Sequence, residues 1–295
     1  MLKNSIANDY ITICKPKVVL LMLVTAWVGM FLASPTVIPW RAVIFGTIGI
    51  ACAASAAAIV NHLMDRHIDR HMIRTALRPI AAGRINPLHA LIFALILMFI
   101  AAIVLNYYVN QTTALLTFAT FIGYAVIYTM YLKRATPQNI VIGGLSGAMP
   151  PLLGWAAVSG DISPYGVLLV LIIFAWTPPH FWALAIYRTA DYTAANVPML
   201  PVTHGKKFTK LCLLLYTFLL IAVSCLPFVV KLAGFIYFVA AIALGTIFIY
   251  LAMRLYNAKV EDENKYSLRT FKYSIVYLFI LFTVLLLDNS HGVFE

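Results

Sequence analysis

The chain has 295 residues, of which 63% are hydrophobic and only 11% charged, with a mean hydropathy of +0.92. Soluble domains typically carry about 25% charged residues, so composition excludes one and implies a polytopic membrane protein. The net charge of +11 calls for no nucleic-acid partner, because lysines and arginines gathered on one side of a bilayer account for it.

In chain order, uncharged stretches suited to spanning lie at Val18 to Pro39, Ala42 to Val60, Leu88 to Leu105, Thr113 to Leu132, Ile140 to Val158, Tyr165 to Tyr187, Leu211 to Val230, Leu232 to Met253 and Tyr273 to Leu287. The expected fold is therefore all-α and integral to the membrane, one domain over 1–295 with nine transmembrane helices. The last stretch is the shortest, since fifteen uncharged residues separate Lys272 from Asp288. An N-terminus in the cytoplasm places all the lysines and arginines inside except Arg41 and Lys231, as the positive-inside bias requires. The C-terminus is then periplasmic. The first 40 residues lack arginine and include Asp9, which argues against a transit peptide and for an uncleaved first helix in a bacterial inner membrane.

Three inner loops hold the polar residues: Asn61 to Pro87, Lys133 to Asn139, and Arg188 to Lys210. The second span, AVIFGTIGIACAASAAAIV, is rich in small residues that let helices approach closely in lipid. At its end, NHLMDRHID sets Asn61, Asp65 and Asp69 four residues apart. Each such step advances about 6 Å along a helix and drifts about 40° around it, so the three side chains share a face. Carboxylates at a helix C-terminus oppose its dipole unless a cation compensates, and hard oxygen ligands favour Mg2+ carrying substrate phosphate. A solvated helix end paired with nearby arginines is the competing reading.

Arg74, Arg78 and Arg84 follow these acids, and guanidinium groups bind phosphate bidentately. A diphosphate site and simple topological charge both fit them. Lys133, Arg134 and Asn139 in the second loop are placed to complete a phosphate cradle. Tyr124, Tyr128 and Tyr131 are spaced to share a face, either as packing or as aromatic stabilisers of a cation. The sixth span ends in WTPPHFWALAIY, where Pro178 and Pro179 are expected to break the helix. His180 beside them suits haem-iron ligation, substrate orientation or a structural role. Tyr187, Arg188, Asp191 and Tyr192 open the third loop, and Asp191 is the other acid placed to join a metal site. The cysteines Cys14, Cys52, Cys212 and Cys225 show no metal-ligand spacing.

The segments KPKVVLLMLVTA, NHLMDRHIDRHMIRTALRP, YLKRATPQNIVIGGLSGAMPPLLGW, WTPPHFWALAIYR and DYTAANVPMLPV together resemble the UbiA superfamily of intramembrane prenyltransferases, and within it the branch that farnesylates haem. The resemblance implies nine helices around a cavity capped by cytoplasmic loops. It also implies transfer of a farnesyl group from farnesyl diphosphate to a vinyl group of haem b, with water addition, to give haem O. On this chain it implies that Asn61, Asp65 and Asp69 hold magnesium diphosphate, that Arg74, Arg78, Lys133 and Arg134 neutralise the leaving group, and that Asp191 stands in the second acidic motif. Ala195 occupies the place of a second aspartate found in members that prenylate small aromatics, a departure that fits the haem branch. The alternatives are prenylation of an aromatic quinone precursor and, from another class, a transporter. A haem A synthase or terminal oxidase assembly is the candidate protein partner.

Overall fold

The structure is a computed structural model that describes residues 5–34, 37–70, 72 and 75–289. Its regular elements there are helices, with one isolated bridge pairing Ala233 and Asn289. Eight helices are long and apolar enough to cross a membrane, and a bent pair at the N-terminus raises the count to nine. The described residues form two compact units, one drawn from those within 5–34, 38–134 and 149–162, the other from residue 37 and those within 135–148 and 163–289.

The first unit begins with α1 (Ile6–Ile13) and α2 (Pro16–Leu32), which meet at 44°. Pro16 disfavours helical geometry in the residue before it, and Lys15 turns into the left-handed region at φ 52 and ψ 57. Pro16 itself sits at the first position of α2, where its missing N–H leaves no helical bond unmade. Helix α3 (Trp40–Asp69) is 30 residues long, about 45 Å, and so outruns a hydrocarbon core of about 30 Å. The loop expected from Asn61 therefore starts later: the helix carries Asn61, Asp65 and Asp69 through its last turns, with all three buried.

Helix α4 (Pro87–Val104) runs into a π-helical turn at Leu105–Val109. Helix α5 (Gln111–Ile122) likewise continues as a π-helix over Gly123–Leu132. This wider winding alters the expected tyrosine face. Tyr124 and Tyr128 stack with centroids 5.5 Å apart, but Tyr131 is 66% exposed. Thr129 Oγ1 follows the same winding, donating to the carbonyl of Tyr124 five residues back at 2.8 Å. After the turn α6 (Lys133–Ala135), α8 (Pro150–Ser159) completes this unit. Helices α2 and α8 touch backbone to backbone, because a Cβ on Gly29 would lie 1.9 Å from the Pro151 carbonyl oxygen and one on Gly154 would lie 1.9 Å from that of Ala26. Close approach of small residues thus packs this pair.

The second unit holds α7 (Asn139–Ala148), α9 (Pro164–Tyr187), α10 (Thr189–Ala194), α11 (Leu200–Thr203), α12 (Gly205–Val229), α13 (Phe235–Tyr256) and α14 (Glu263–Leu287). Contrary to expectation, α9 is unbroken through Pro178 and Pro179. Proline lacks an N–H, so the carbonyls four residues earlier lose their usual helical donors without the helix ending. The final span also exceeds expectation. Helix α14 has 25 residues and starts at Glu263, which Lys206 and Lys210 neutralise at 2.6 and 2.9 Å, so charge near its beginning does not shorten it.

Candidate functional site

Within the first unit, the polar end of α3 gathers cations from three other segments. Asn61 Nδ2 donates to Asp65 Oδ2 at 2.9 Å, and Lys133 Nζ reaches that same oxygen at 2.5 Å. Lys15 Nζ donates to Asn61 Oδ1 at 2.6 Å. Arg78 NH1 contacts both oxygens of Asp69, at 2.9 and 2.8 Å. Asp65 and Asp69 are only 1% and 4% exposed, so these charges exist because they are paired.

The other Asp65 oxygen, Oδ1, is buried and has no hydrogen-bond partner. A buried carboxylate oxygen without a donor costs roughly 1–3 kcal/mol or more, and a hard cation removes that cost. The donor set therefore fits Mg2+, with Asp65 and Asn61 as oxygen ligands and Asp69 one turn on. Among the described residues, no group of three or more His, Cys, Asp or Glu side chains gathers to hold a metal ion, so amide, phosphate or water oxygens must supply the remaining ligands. Charge points the same way. Lys15, Lys133 and Arg78 exceed Asp65 and Asp69 by one positive charge, and one divalent cation raises this to about the three charges needed to neutralise a diphosphate ester.

The expected residues divide as follows. Lys133 and Arg78 join the acids, and Tyr124 lies within electrostatic range of Asp65 and Arg78. Arg84 does not take part, because it binds Asp9 bidentately at 2.9 and 3.0 Å and also donates to the Leu77 carbonyl. The Asp9 carboxylate holds the Arg84 guanidinium above its ordinary pKa. Arg74 and the side chain of Arg134 lie outside the described residues.

Lys15 was not expected at the site, since one lysine before a span reads as topological charge. Its left-handed backbone is the visible signal: such strain costs about 1–3 kcal/mol and persists where its surroundings require it. His62 is also buried, with neither ring nitrogen hydrogen-bonded.

Asn139, His180, Tyr187, Arg188, Asp191 and Tyr192 belong to the second unit. Asn139 is fully buried at the start of α7. Arg188 NH1 meets Asp191 Oδ2 at 3.3 Å and lies over the Tyr187 ring at 5.1 Å. Both members of that ion pair are partly exposed, so the pair contributes at most about 1 kcal/mol. Tyr192 closes the short turn by donating its N–H to the Arg188 carbonyl at 3.2 Å. His180 Nδ1 lies 2.7 Å from Ser274 Oγ, and its ring stacks on Trp176 at 4.1 Å.

Residues 22–282 match the model of the UbiA prenyltransferase family. A protein from Marinobacter nauticus named protoheme IX farnesyltransferase is 57% identical over 282 residues, 96% of this chain and 92% of that protein. One of the same name from Legionella pneumophila is 56% identical, covering 96% and 95% respectively. The fold matches a structure of digeranylgeranylglyceryl phosphate synthase at a TM-score of 0.80 and 18% identity, covering 96% of this chain and 98% of that one. It also matches a UbiA homologue from Archaeoglobus fulgidus bound to GPP and Mg2+ at a TM-score of 0.62 and 16% identity, covering 94% and 99%. With eight or nine membrane helices, this fold and these relatives, the chain is a multi-pass membrane protein of the UbiA prenyltransferase family.

Proposed function

We propose that the chain transfers the farnesyl group of farnesyl diphosphate to a vinyl group of haem b, with addition of water, to give haem O. The reading is supported by the relatives named protoheme IX farnesyltransferase. The observation that carries it is the buried Asn61 and Asp65 pair, linked to Lys15 and Lys133, with one Asp65 oxygen left unpartnered.

In this mechanism Asn61, Asp65 and Asp69 would hold Mg2+, and Asp191 is the further acid assigned to the diphosphate site. When bound, the ion supplies Lewis-acid neutralisation of the leaving diphosphate. Lys15, Arg78 and Lys133 turn from the carboxylates and amide toward the arriving diphosphate, with Arg74 and Arg134 assigned to the same cradle. Their charge stabilises the diphosphate as the allylic C–O bond breaks and the leaving oxygen keeps the electron pair. The terminal vinyl carbon of haem b then bonds to farnesyl C1. The adjacent carbon becomes cationic, stabilised by the porphyrin, and water adds there while losing its proton to solvent. No protein nucleophile is needed. Tyr124 and Tyr128 face the prenyl cation with their π-systems, while the apolar helix walls keep water from it until the carbon–carbon bond has formed.

Asn139 is assigned to the phosphate cradle, and His180, Tyr187, Arg188 and Tyr192 are assigned to substrate binding. The enzyme belongs in the bacterial inner membrane, with its N-terminus and active-site loops cytoplasmic and its C-terminus periplasmic. A haem A synthase or terminal oxidase would take up the product.

The test is to incubate membranes bearing the chain with farnesyl diphosphate, haem b and Mg2+, and to weigh the product. Haem increased in mass by one farnesyl group and one hydroxyl group supports the reading. Prenylation of an aromatic quinone precursor with no haem product would replace it with the alternative, and haem-independent solute uptake would indicate a transporter.

A further inference from the structure

Helix α14 presents Ser274 to α9 in an arrangement that fixes one chemical form of His180. The Ser274 hydroxyl donates its only proton to the Phe271 carbonyl oxygen, 2.6 Å away on its own helix. It can then only accept from His180 Nδ1 at 2.7 Å. Nδ1 therefore carries the hydrogen, and the neutral ring keeps its lone pair on Nε2. A second bond fixes the register between the helices, since Trp176 Nε1 donates to the Ser274 carbonyl at 2.7 Å.

Trp176 and His180 stand four residues apart on α9 and stack at 4.1 Å with 20° between planes. Phe271 approaches the same imidazole at 4.7 Å and Phe181 meets it edge-on at 5.3 Å. Ser274 is fully buried. Three aromatic rings and one hydroxyl thus set both the tautomer and the orientation of a histidine that is itself only partly buried.

A metal-binding imidazole needs such control of tautomer and orientation. Histidine ligands commonly donate their second N–H to a fixed acceptor, which settles the tautomer, orients the ring and raises the basicity of the other nitrogen. The geometry points to His180 Nε2 as the axial ligand of the haem iron of the acceptor substrate, with Ser274 as the positioning residue that acts through it. This inference rests on haem b being the acceptor. Ligation anchors the macrocycle through its iron, which leaves its vinyl edge free for the farnesyl group.

The experiment titrates ferric haem b into the purified, detergent-solubilised full chain and follows the Soret and visible bands. Wild type should show a nitrogen-ligated spectrum that His180→Gly loses and added imidazole restores to that variant. Ser274→Ala, and Ser274→Cys as a near-isosteric variant with a poor acceptor, should weaken haem binding about 10–100-fold. Ser274→Thr, which keeps a hydroxyl, should recover most of that loss. Unchanged farnesyl diphosphate binding identifies which variants have folded.

A His180→Gly spectrum and affinity equal to wild type would overturn the ligation. Unchanged haem binding in whichever of Ser274→Ala and Ser274→Cys folds, or failure of both to fold, would overturn the positioning role. Farnesylated haem made by a wild type with no nitrogen-ligated spectrum would overturn this inference and leave the proposed function standing. A nitrogen-ligated spectrum without farnesylated haem would overturn the proposed function, and with it the acceptor role of the ligated haem, while leaving the iron–His180 bond itself standing.

Discussion

Lys133 and Asn61 converge on one oxygen of Asp65, at 2.5 and 2.9 Å, while the other oxygen of that carboxylate is buried without a partner. One side of the group is saturated and the other is available to a cation. Lys133→Ala strips Asp65 of its ammonium partner and the diphosphate of a counter-charge. We expect kcat to fall about 10²–10³-fold, as for loss of one donor to a developing anion, with Lys133→Arg recovering part of the loss. Steady-state farnesyl transfer in membranes measures it.

Lys15 joins a strained backbone to a contact with Asn61 of the proposed diphosphate site, so stability and activity should separate there. Lys15→Gly removes the left-handed penalty of about 1–3 kcal/mol together with the ammonium that reaches Asn61 at 2.6 Å. A thermal midpoint in detergent that holds or rises is expected beside a KM for farnesyl diphosphate raised about tenfold, the effect of losing one charged hydrogen bond. A midpoint that falls with turnover would make Lys15 a structural residue.

Arg84 should behave in the opposite way. Its bidentate bond ties α1 to the segment after α3 through Asp9, with the guanidinium 36% exposed. Solvent screening limits the pair to about 1 kcal/mol. Arg84→Ala is expected to lower the unfolding midpoint slightly while kcat and KM stay within about twofold. Circular dichroism melts beside the transfer assay read both.

The crossing of α2 and α8 sets a steric limit. In Gly154→Ala the new methyl would lie 1.9 Å from the Ala26 carbonyl oxygen, a backbone atom that cannot rotate aside. Overpacking typically costs about 1–3 kcal/mol, and more where backbone must move, so we expect sharply reduced folded yield by detergent size-exclusion chromatography. Gly147→Ala meets nothing within 4 Å and should keep its yield.

Much of this architecture was legible in the sequence because a bilayer imposes a coarse rule, long uncharged runs with basic residues on one side. That rule placed eight spans, with the ninth resting on the bent pair at the N-terminus whose second helix ends at Leu32 and not at Pro39, yet it stopped the second at Val60 where polar residues begin. Helix α3 continues to Asp69 because its acids are neutralised by Lys133 and Arg78, whose contacts are not local in sequence. The four-residue spacing of Asn61, Asp65 and Asp69 identified the acidic face directly. Lys15 stayed hidden because its role depends on a bend and a partner 46 residues away. Ser274 stayed hidden because a serine within a span carries no mark of the histidine it meets from another helix. Tyr131 was misplaced because α-helical spacing was applied across a stretch wound as a π-helix.

The central claim is that the α3 carboxylates hold a divalent cation that lets a prenyl diphosphate ionise. Single-turnover farnesyl transfer to haem b, followed by mass spectrometry in wild type and Asp65→Ala with excess Mg2+ and with chelator, tests it most directly. The account predicts rapid product only from wild type with Mg2+, and at least about a 10²-fold loss in the other three conditions. Wild-type rates from Asp65→Ala in chelator would contradict it.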